Sequence, residues 1–157
     1  MRRNDRAVTE IAEIRAMLDK AQVLRLGLLD AGYPYVVPLH FGYAYADGQF
    51  IFYMHSAREG HKLDLIRQDP HVCVEVEGKT TLVSGGEVAC NYGALFASFI
   101  GRGTAEIVEE PAEKCRGLAI LMRQQTGKDF AIREEMAASV AVVKVVVTEF
   151  SAKARKE

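Results

Sequence analysis

A two-residue turn, Asp47-Gly48, constrains the fold of this chain more than any other feature. It lies between two alternating segments, and both of its residues tolerate the positive φ angles of a type I′ turn. The turn predicts a β-hairpin whose register is counted outward from Ala46 opposite Gln49. One face of that hairpin carries the aromatic and thioether side chains Phe41, Tyr43, Tyr45, Phe50, Phe52 and Met54. This face can fill the interior of a barrel.

The other face of the hairpin carries smaller residues. Gly42 lies opposite Tyr53 in this register, and His40 lies opposite His55. Small residues leave room for a flat ligand or for another backbone to approach. Directly paired imidazoles have Cβ atoms roughly 5 Å apart, close enough to share a ligand.

The segment that follows the second strand, residues 56–62, is called the phosphate loop below. It leads into an amphipathic helix, and the free N–H groups and positive dipole end at a helix start favour an anion. Its candidate donors are Ser56, Arg58, His61 and Lys62. A solvated polar turn explains the same residues equally well. Pro38 favours the ligand hypothesis, because a proline within a strand donates no ladder hydrogen bond and marks an edge that a planar heterocycle can use.

Composition limits the class of protein. A chain of 157 residues, with 49% hydrophobic and 26% charged residues, suits one soluble globular domain spanning residues 1–157. The net charge of −1 gives no electrostatic reason to expect nucleic acid. The N-terminus lacks a signal-peptide core, and Lys144 interrupts the longest apolar run near the C-terminus, so we expect no membrane span and a cytoplasmic protein.

The three cysteines are widely spaced and form no C-x-x-C pair, which gives no sign of a zinc or dithiol site. We expect reduced thiols, with Cys73 and Cys115 as small buried residues. Cys90 lies in a glycine-rich stretch, where a place near a cofactor remains open. We expect no metal ion.

Periodicity and turn signals predict an antiparallel, mainly β barrel with peripheral α-helices. Four helices are predicted: one capped by Thr9 that ends at about residue 21, one that ends at residue 68, one over residues 111–125 and one near residues 131–137. The predicted strands besides the hairpin are 23–29, 72–76, 94–109 and 140–150, with Gly101 and Gly103 as bulge positions and residues 77–93 as a loop or loose hairpin. Strands and helices do not alternate regularly, and Gly101-Arg102-Gly103 lacks a third glycine, so a Rossmann site is not expected.

Three motifs occur together in a pattern typical of one family. They are Tyr33-Pro34-Tyr35-Val36-Val37-Pro38 with Phe41-Gly42-Tyr43, His55-Ser56-Ala57 with Gly60-His61-Lys62-Leu63, and Ser98-Phe99-Ile100 leading through Gly103 to Ala105. Over most of its length the chain resembles the nitroimidazole-resistance (Nim) proteins. These are flavoproteins of the FMN-binding split-barrel superfamily, which also contains the pyridoxamine 5′-phosphate oxidases.

The resemblance implies a homodimer with FMN bound in clefts between the subunits. It places Val37, Pro38, Leu39 and His40 along the isoalloxazine ring, with His55, Ser56 and Ala57 beside it. It assigns Ser56, His61 and Lys62 to the phosphate, and it brings Ser98 to the cofactor from a neighbouring strand.

The leading hypothesis is an FMN-dependent reductase that passes electrons from a reduced donor to a small acceptor, such as a 5-nitroimidazole. His40, His55 and Tyr53 are candidate proton donors to the reduced product, although a role in positioning flavin or in the structure suits each of them better. Two alternatives stay open: a haem-binding or haem-degrading split barrel, suggested by the facing histidines, and a non-catalytic flavin-binding sensor. Vitamin B6 oxidation is not expected, because the C-terminus lacks the arginine- and histidine-bearing segment by which pyridoxamine-phosphate oxidases hold their substrate.

Overall fold

Eight strands and four helices lie within residues 4–156, the part of the chain that the computed structural model describes. The strands are β1 Ala7–Val8, β2 Val23–Asp30, β3 Tyr33–Ala46, β4 Gln49–Ser56, β5 His71–Glu77, β6 Thr81–Val83, β7 Gly93–Ile107 and β8 Ala141–Arg155. The helices are α1 Ile11–Leu18, α2 His61–Gln68, α3 Pro111–Thr126 and α4 Glu134–Ala137.

The strands form one antiparallel sheet that closes on itself. Its order is β1-β8-β4-β3-β2-β5-β7-β6, and a further pairing of β8 with β7 joins six of these strands into a barrel. The helices lie around the barrel. The predicted fold class, a mainly β antiparallel split barrel with peripheral helices, is therefore confirmed.

The hairpin forms in the predicted register. Asp47 and Gly48 have φ angles of 52° and 79°, as a type I′ turn requires. Pairing runs from Ala46 opposite Gln49 to Phe41 opposite Met54. The aromatic face packs inward, and its fully buried members are Phe41, Phe50, Phe52 and Met54. They join side chains from the other strands in one continuous core.

Strand β3 changes partner part-way along its length. Residues 33–40 pair with β2, whereas residues 41–46 pair with β4. Strand β4 pairs with β8 over residues 50–56, so its last residues, His55 and Ser56, have β8 as a partner but no partner on β3. One edge of β3 over residues 33–40 therefore has no strand partner in the described part of the chain. This opening is called the split below. Because the β3–β4 ladder ends one pair earlier, the structure does not pair His40 with His55.

Helix α3 covers the small-residue face of the hairpin. A Cβ atom added to Gly42 would lie 2.5 Å from the Ile120 carbonyl oxygen, and one added to Gly117 would lie 2.5 Å from Cδ1 of Tyr53. Of the two occupants predicted for this face, a backbone rather than a flat ligand lies over Gly42.

Several element boundaries differ from prediction. Thr9 does not cap α1, because the N-cap is Glu10, whose carbonyl oxygen accepts from Glu13 and Ile14. Strand β8 extends five residues beyond the predicted end because its last part pairs with β7. The predicted bulge is confirmed, since the β7–β8 register shifts between Arg102 and Gly103. Residues 77–93 include the short strand β6, which pairs with the start of β7.

Candidate functional site

The phosphate loop and the unpaired edge of β3 border the same opening. Gly60, with a φ of 145°, precedes α2, and its carbonyl oxygen accepts from Leu63 and Asp64 at 2.9 and 3.3 Å. No side chain caps this helix within the described residues. The backbone N–H groups of His61 and Lys62 are therefore open to a ligand, at the positive end of the helix dipole.

Two cations of the loop are available to an anion. Arg58 is exposed and Lys62 half-buried, and neither has an ion-pair partner among residues 4–156. The Ser56 hydroxyl donates locally to the Ala57 carbonyl oxygen at 2.9 Å. Ala57 itself is exposed. The loop can thus receive a phosphate through Arg58, Lys62 and backbone N–H groups.

His61 is already engaged within the chain. Its Nε2 lies 2.7 Å from Oδ2 of Asp30, and its ring packs edge-on against Tyr35 with centroids 5.2 Å apart. Asp30 ends β2 just before the turn formed by Ala31 and Gly32. His61 therefore ties the β2–β3 turn to the phosphate loop, and its predicted phosphate contact competes with this bond.

The side chains predicted to lie along a planar ring divide between two faces of β3. Val37 and Leu39 are half-buried and pack against the core, whereas Pro38 and His40 are exposed. His40 donates through Nδ1 to the Gln22 carbonyl oxygen at 3.1 Å, and its Nε2 has no partner in the described part of the chain. What β3 presents to the split is the backbone of residues 37–40, with its unpaired polar groups.

The two histidines predicted as catalytic both lie next to the split. His40 and His55 are each the first residue beyond the last β3–β4 pair, and both are exposed. Tyr53, the third candidate proton donor, is only 1% exposed beneath α3. Its hydroxyl donates to Glu113 at 3.2 Å and accepts from Arg116 at 3.1 Å. Burial raises the pKa of Tyr53 above its usual value. The hydroxyl of Tyr53 is thus held between two side chains of α3, which favours the structural role over proton donation.

Ser98 lies away from the rest of these residues. It is half-buried in β7 and pairs with Glu77 of β5 and Lys153 of β8. In the sheet, β2 and β5 stand between β7 and β3. At about 4.8 Å per strand, that places β7 roughly 14 Å from β3 along the sheet. Ser98 is also distant from the phosphate loop along the strands, because it pairs with Lys153 of β8, whereas Ser56, the first residue of the loop, pairs with Ala141 of the same strand.

An apolar surface continues outward from the split. Tyr33, Leu29 and Val36 are 77%, 56% and 56% exposed. The last two, with Pro34 and Cys73, line a broad groove of about 880 Å³ over β2, β3 and β5. Exposed apolar patches of this kind mark interaction surfaces. We call this groove the outer apolar face.

A polar network that no sequence motif signals holds α3 to the barrel. Lys144 of β8 donates to Glu113 of α3 at 2.9 Å and to Glu106 of β7 at 3.0 Å. The hydrogen bond from Lys144 is the largest cause that lowers the pKa of Glu113, and the same bond raises the pKa of Lys144. These residues are up to 38 positions apart and follow no motif, so only the folded structure reveals the network.

The cysteines have free thiols: Cys73 and Cys115 are half-buried, and Cys90 is exposed. Among residues 4–156, no cluster of three or more histidine, cysteine or acidic side chains could hold a metal ion. Within the same residues, no helix has the length and apolar character needed to cross a membrane.

The closed six-stranded barrel and the split define a split-barrel protein, in which an uncapped helix start lies beside an unpaired strand edge. The chain belongs to the pyridoxamine 5′-phosphate oxidase family, whose model matches residues 10–154. A comparison with curated proteins found no match.

Solved structures give the same assignment of fold. A candidate 5-nitroimidazole antibiotic resistance protein of Bacteroides thetaiotaomicron is 30% identical with a TM-score of 0.80, over 94% of this chain and 86% of that chain. A flavocytochrome of Azotobacter vinelandii is 22% identical with a TM-score of 0.78, over 100% of this chain and 72% of that one. An FAD- and haem-binding protein of Mycobacterium smegmatis is 17% identical with a TM-score of 0.79, over 97% and 74%. The last two likenesses concern the fold alone.

Proposed function

We propose that this protein binds FMN at the split and is an oxidoreductase that reduces a small acceptor such as a 5-nitroimidazole. The observation that carries the proposal is the juxtaposition of the uncapped start of α2 with the unpaired edge of β3. One element suits a phosphate, and the other suits a flat ring with polar edges. The 30%-identical candidate resistance protein suggests the class of acceptor.

The residues have separable roles in this proposal. Arg58, Lys62 and the first N–H groups of α2 hold the phosphate, and the backbone of residues 37–40 hydrogen-bonds the ring. FMN, when bound, supplies the electron-transfer chemistry, and the protein supplies position and protons. His40 and His55 are exposed beside the split and can donate a proton to the reduced acceptor near neutral pH. The acceptor does not stack over Gly42, because α3 lies there.

We propose further that the active unit is a homodimer assembled over the outer apolar face. Burial of Leu29, Val36 and Tyr33 against the same surface of a second copy would remove exposed apolar area from water. A second copy also offers its own Ser98, which one chain alone cannot bring to its phosphate loop. Light scattering should give twice the chain mass of 17.4 kDa. A flavin-loaded monomer at micromolar concentration would contradict this assembly.

The phosphate contact has a direct test. Lys62→Ala should raise the FMN dissociation constant about ten-fold or more, since a charge-assisted contact contributes about 1.5 to 3 kcal/mol. Riboflavin, which lacks the phosphate, should bind both proteins equally. Lys128→Ala is the matched control, because Lys128 is exposed beyond the end of α3. Equal affinity of the wild type for FMN and riboflavin would refute the phosphate assignment.

The activity is tested by anaerobic stopped-flow reoxidation of the dithionite-reduced protein, with and without a 5-nitroimidazole. The acceptor should accelerate reoxidation, and His40→Ala and His55→Ala should slow that step more than they weaken FMN binding. No acceleration would eliminate the activity and leave a non-catalytic flavin protein. Acceleration that survives both substitutions would discard the role of the histidines.

The absorbance spectrum of the purified protein separates flavin from haem. We do not retain haem as a second proposal, because it depended on paired histidines and the β3–β4 ladder ends before His40 and His55. A Soret band would overturn this choice.

A further inference from the structure

A second charged cleft, which shares Arg58 with the phosphate loop, lies beside that loop. Its volume is about 550 Å³, within the roughly 300 to 1,000 Å³ of small-molecule sites. It is bounded on one side by the loop and the end of α2, and on the other by the start of α3 and by α4. Arg58 belongs to both this cleft and the loop. We call it the α2–α3 cleft.

The floor of the α2–α3 cleft is apolar. It is formed where β7 ends and β8 begins, by side chains that include Ile107, Val108, Val140 and Ala141. Val108 and Ala141 are buried, and the other two are half-buried. An apolar floor of this kind accepts the face of a planar heterocycle.

The walls carry charges of both signs. Arg58 and Lys114 have no ion-pair partner within residues 4–156, and the same holds for Glu109 and Glu134. Arg67, which also lines the cleft, differs because it pairs with Asp64 at 2.9 Å. Two free cations can bind a phosphate, and two free carboxylates can accept from sugar hydroxyls.

This balance of charge selects the ligand. The two carboxylates would repel a polyanion. A molecule with one phosphate, a sugar and a flat base can instead place its phosphate on the cations, its sugar hydroxyls on the carboxylates and its base on the apolar floor. The start of α3 is not the anion site, because Glu110 accepts from the backbone N–H groups of Ala112 and Glu113 at 2.9 and 2.6 Å. The binding groups are therefore the side chains of the walls.

We infer that the α2–α3 cleft binds a nucleoside monophosphate group. Two molecules bring this chemistry to a flavin protein: the adenylate half of FAD, and the adenylate half of a reduced nicotinamide dinucleotide that donates electrons. The choice between these two molecules rests on the proposed function. The binding of a nucleoside monophosphate group in the cleft does not rest on it.

The first experiment is calorimetric titration of the purified protein with 5′-AMP and with adenosine. AMP should bind, and adenosine should bind about five-fold more weakly or worse, because it lacks the phosphate. Lys114→Ala should weaken AMP binding by a similar factor, and Glu134→Gln should weaken AMP and adenosine alike. Lys128→Ala should bind AMP as the wild type does. Absence of AMP binding, or AMP affinity unchanged in Lys114→Ala, would overturn the inference.

The second experiment distinguishes the two sources. If the cleft holds part of the flavin, FAD binds more tightly than FMN, and Lys114→Ala removes the difference. If it holds part of the electron donor, FAD and FMN bind equally, and Lys114→Ala raises KM for the reduced nicotinamide donor with little change in kcat. If the wild type binds flavin but shows neither behaviour, the inference is overturned. AMP binding that depends on Lys114, in a protein that binds neither flavin, would keep this inference and refute the proposed function.

Discussion

The contact between His61 and Asp30 predicts that two residues 31 positions apart act as one unit in flavin binding. If His61 contacted the phosphate directly, Asp30→Ala would leave FMN affinity unchanged or improve it, since a carboxylate near the phosphate would be removed. In the structure, His61 Nε2 instead lies 2.7 Å from Asp30 Oδ2. We therefore expect His61→Ala and Asp30→Ala each to weaken FMN binding, by releasing the phosphate loop from the β2–β3 turn.

The expected loss of FMN affinity follows from the solvent exposure of the His61 and Asp30 side chains. The two side chains are 54% and 37% exposed, so solvent screens the pair and it contributes about 0.5 to 1 kcal/mol rather than the value of a buried bond. Each single variant should raise the FMN dissociation constant about two- to five-fold. The double variant should bind no more weakly than either single variant, because both remove the same contact.

A double-mutant cycle by flavin fluorescence titration measures this coupling. Asp47→Ala is an unsuitable control because of its positive φ, whereas Asp129→Ala changes an exposed aspartate beyond the end of α3. Additive effects of His61→Ala and Asp30→Ala, or an Asp30→Ala variant that binds FMN as well as the wild type, would refute the positioning role.

Two further predictions concern α3. Gly42→Ala should lower the free energy of unfolding by about 2 kcal/mol or more, because the new Cβ would overlap the Ile120 carbonyl oxygen. Urea denaturation measures this change. Unchanged stability would contradict the close packing of α3. Glu113→Gln should cost about 1 kcal/mol at pH 7. Since Lys144 lowers the pKa of Glu113, that stability is present above the usual carboxyl pKa and is lost as pH falls through the folded value. The deficit relative to wild type should therefore shrink below about pH 4.5, while Glu87→Gln should show no such deficit at any pH.

The hairpin was predictable because its determinants are local. Asp47-Gly48 fixes the turn type, and the two-residue period of a strand then fixes which side chains face inward, so the register to Phe41 opposite Met54 followed from counting. The bulge near Gly103 was also predictable, since glycine within a strand marks such positions. These features require no knowledge of the rest of the chain.

The position where β3 changes partner was not predictable in this way. Nothing local to His40 and Phe41 shows that the strand leaves β4 and pairs with β2, because the competing partner lies about 17 residues earlier in the chain. The contact of His61 with Asp30 and the position of α3 over Gly42 depend on the same long-range packing. Sequence reasoning therefore named candidate residues on both sides of the split but extended the β3–β4 pairing one step too far, to His40 and His55.

The end of the β3–β4 ladder nevertheless explains why those histidines lie beside the split. Both faces of the hairpin are occupied, one by the core and the other by α3, so a ligand cannot lie against the paired part of the hairpin. Space becomes available only where the ladder stops and the two strands diverge. The first residues beyond that point are His40 on β3 and His55 on β4. Their position beside the split thus follows from the length of the ladder. This position does not depend on a direct contact between the two imidazole rings.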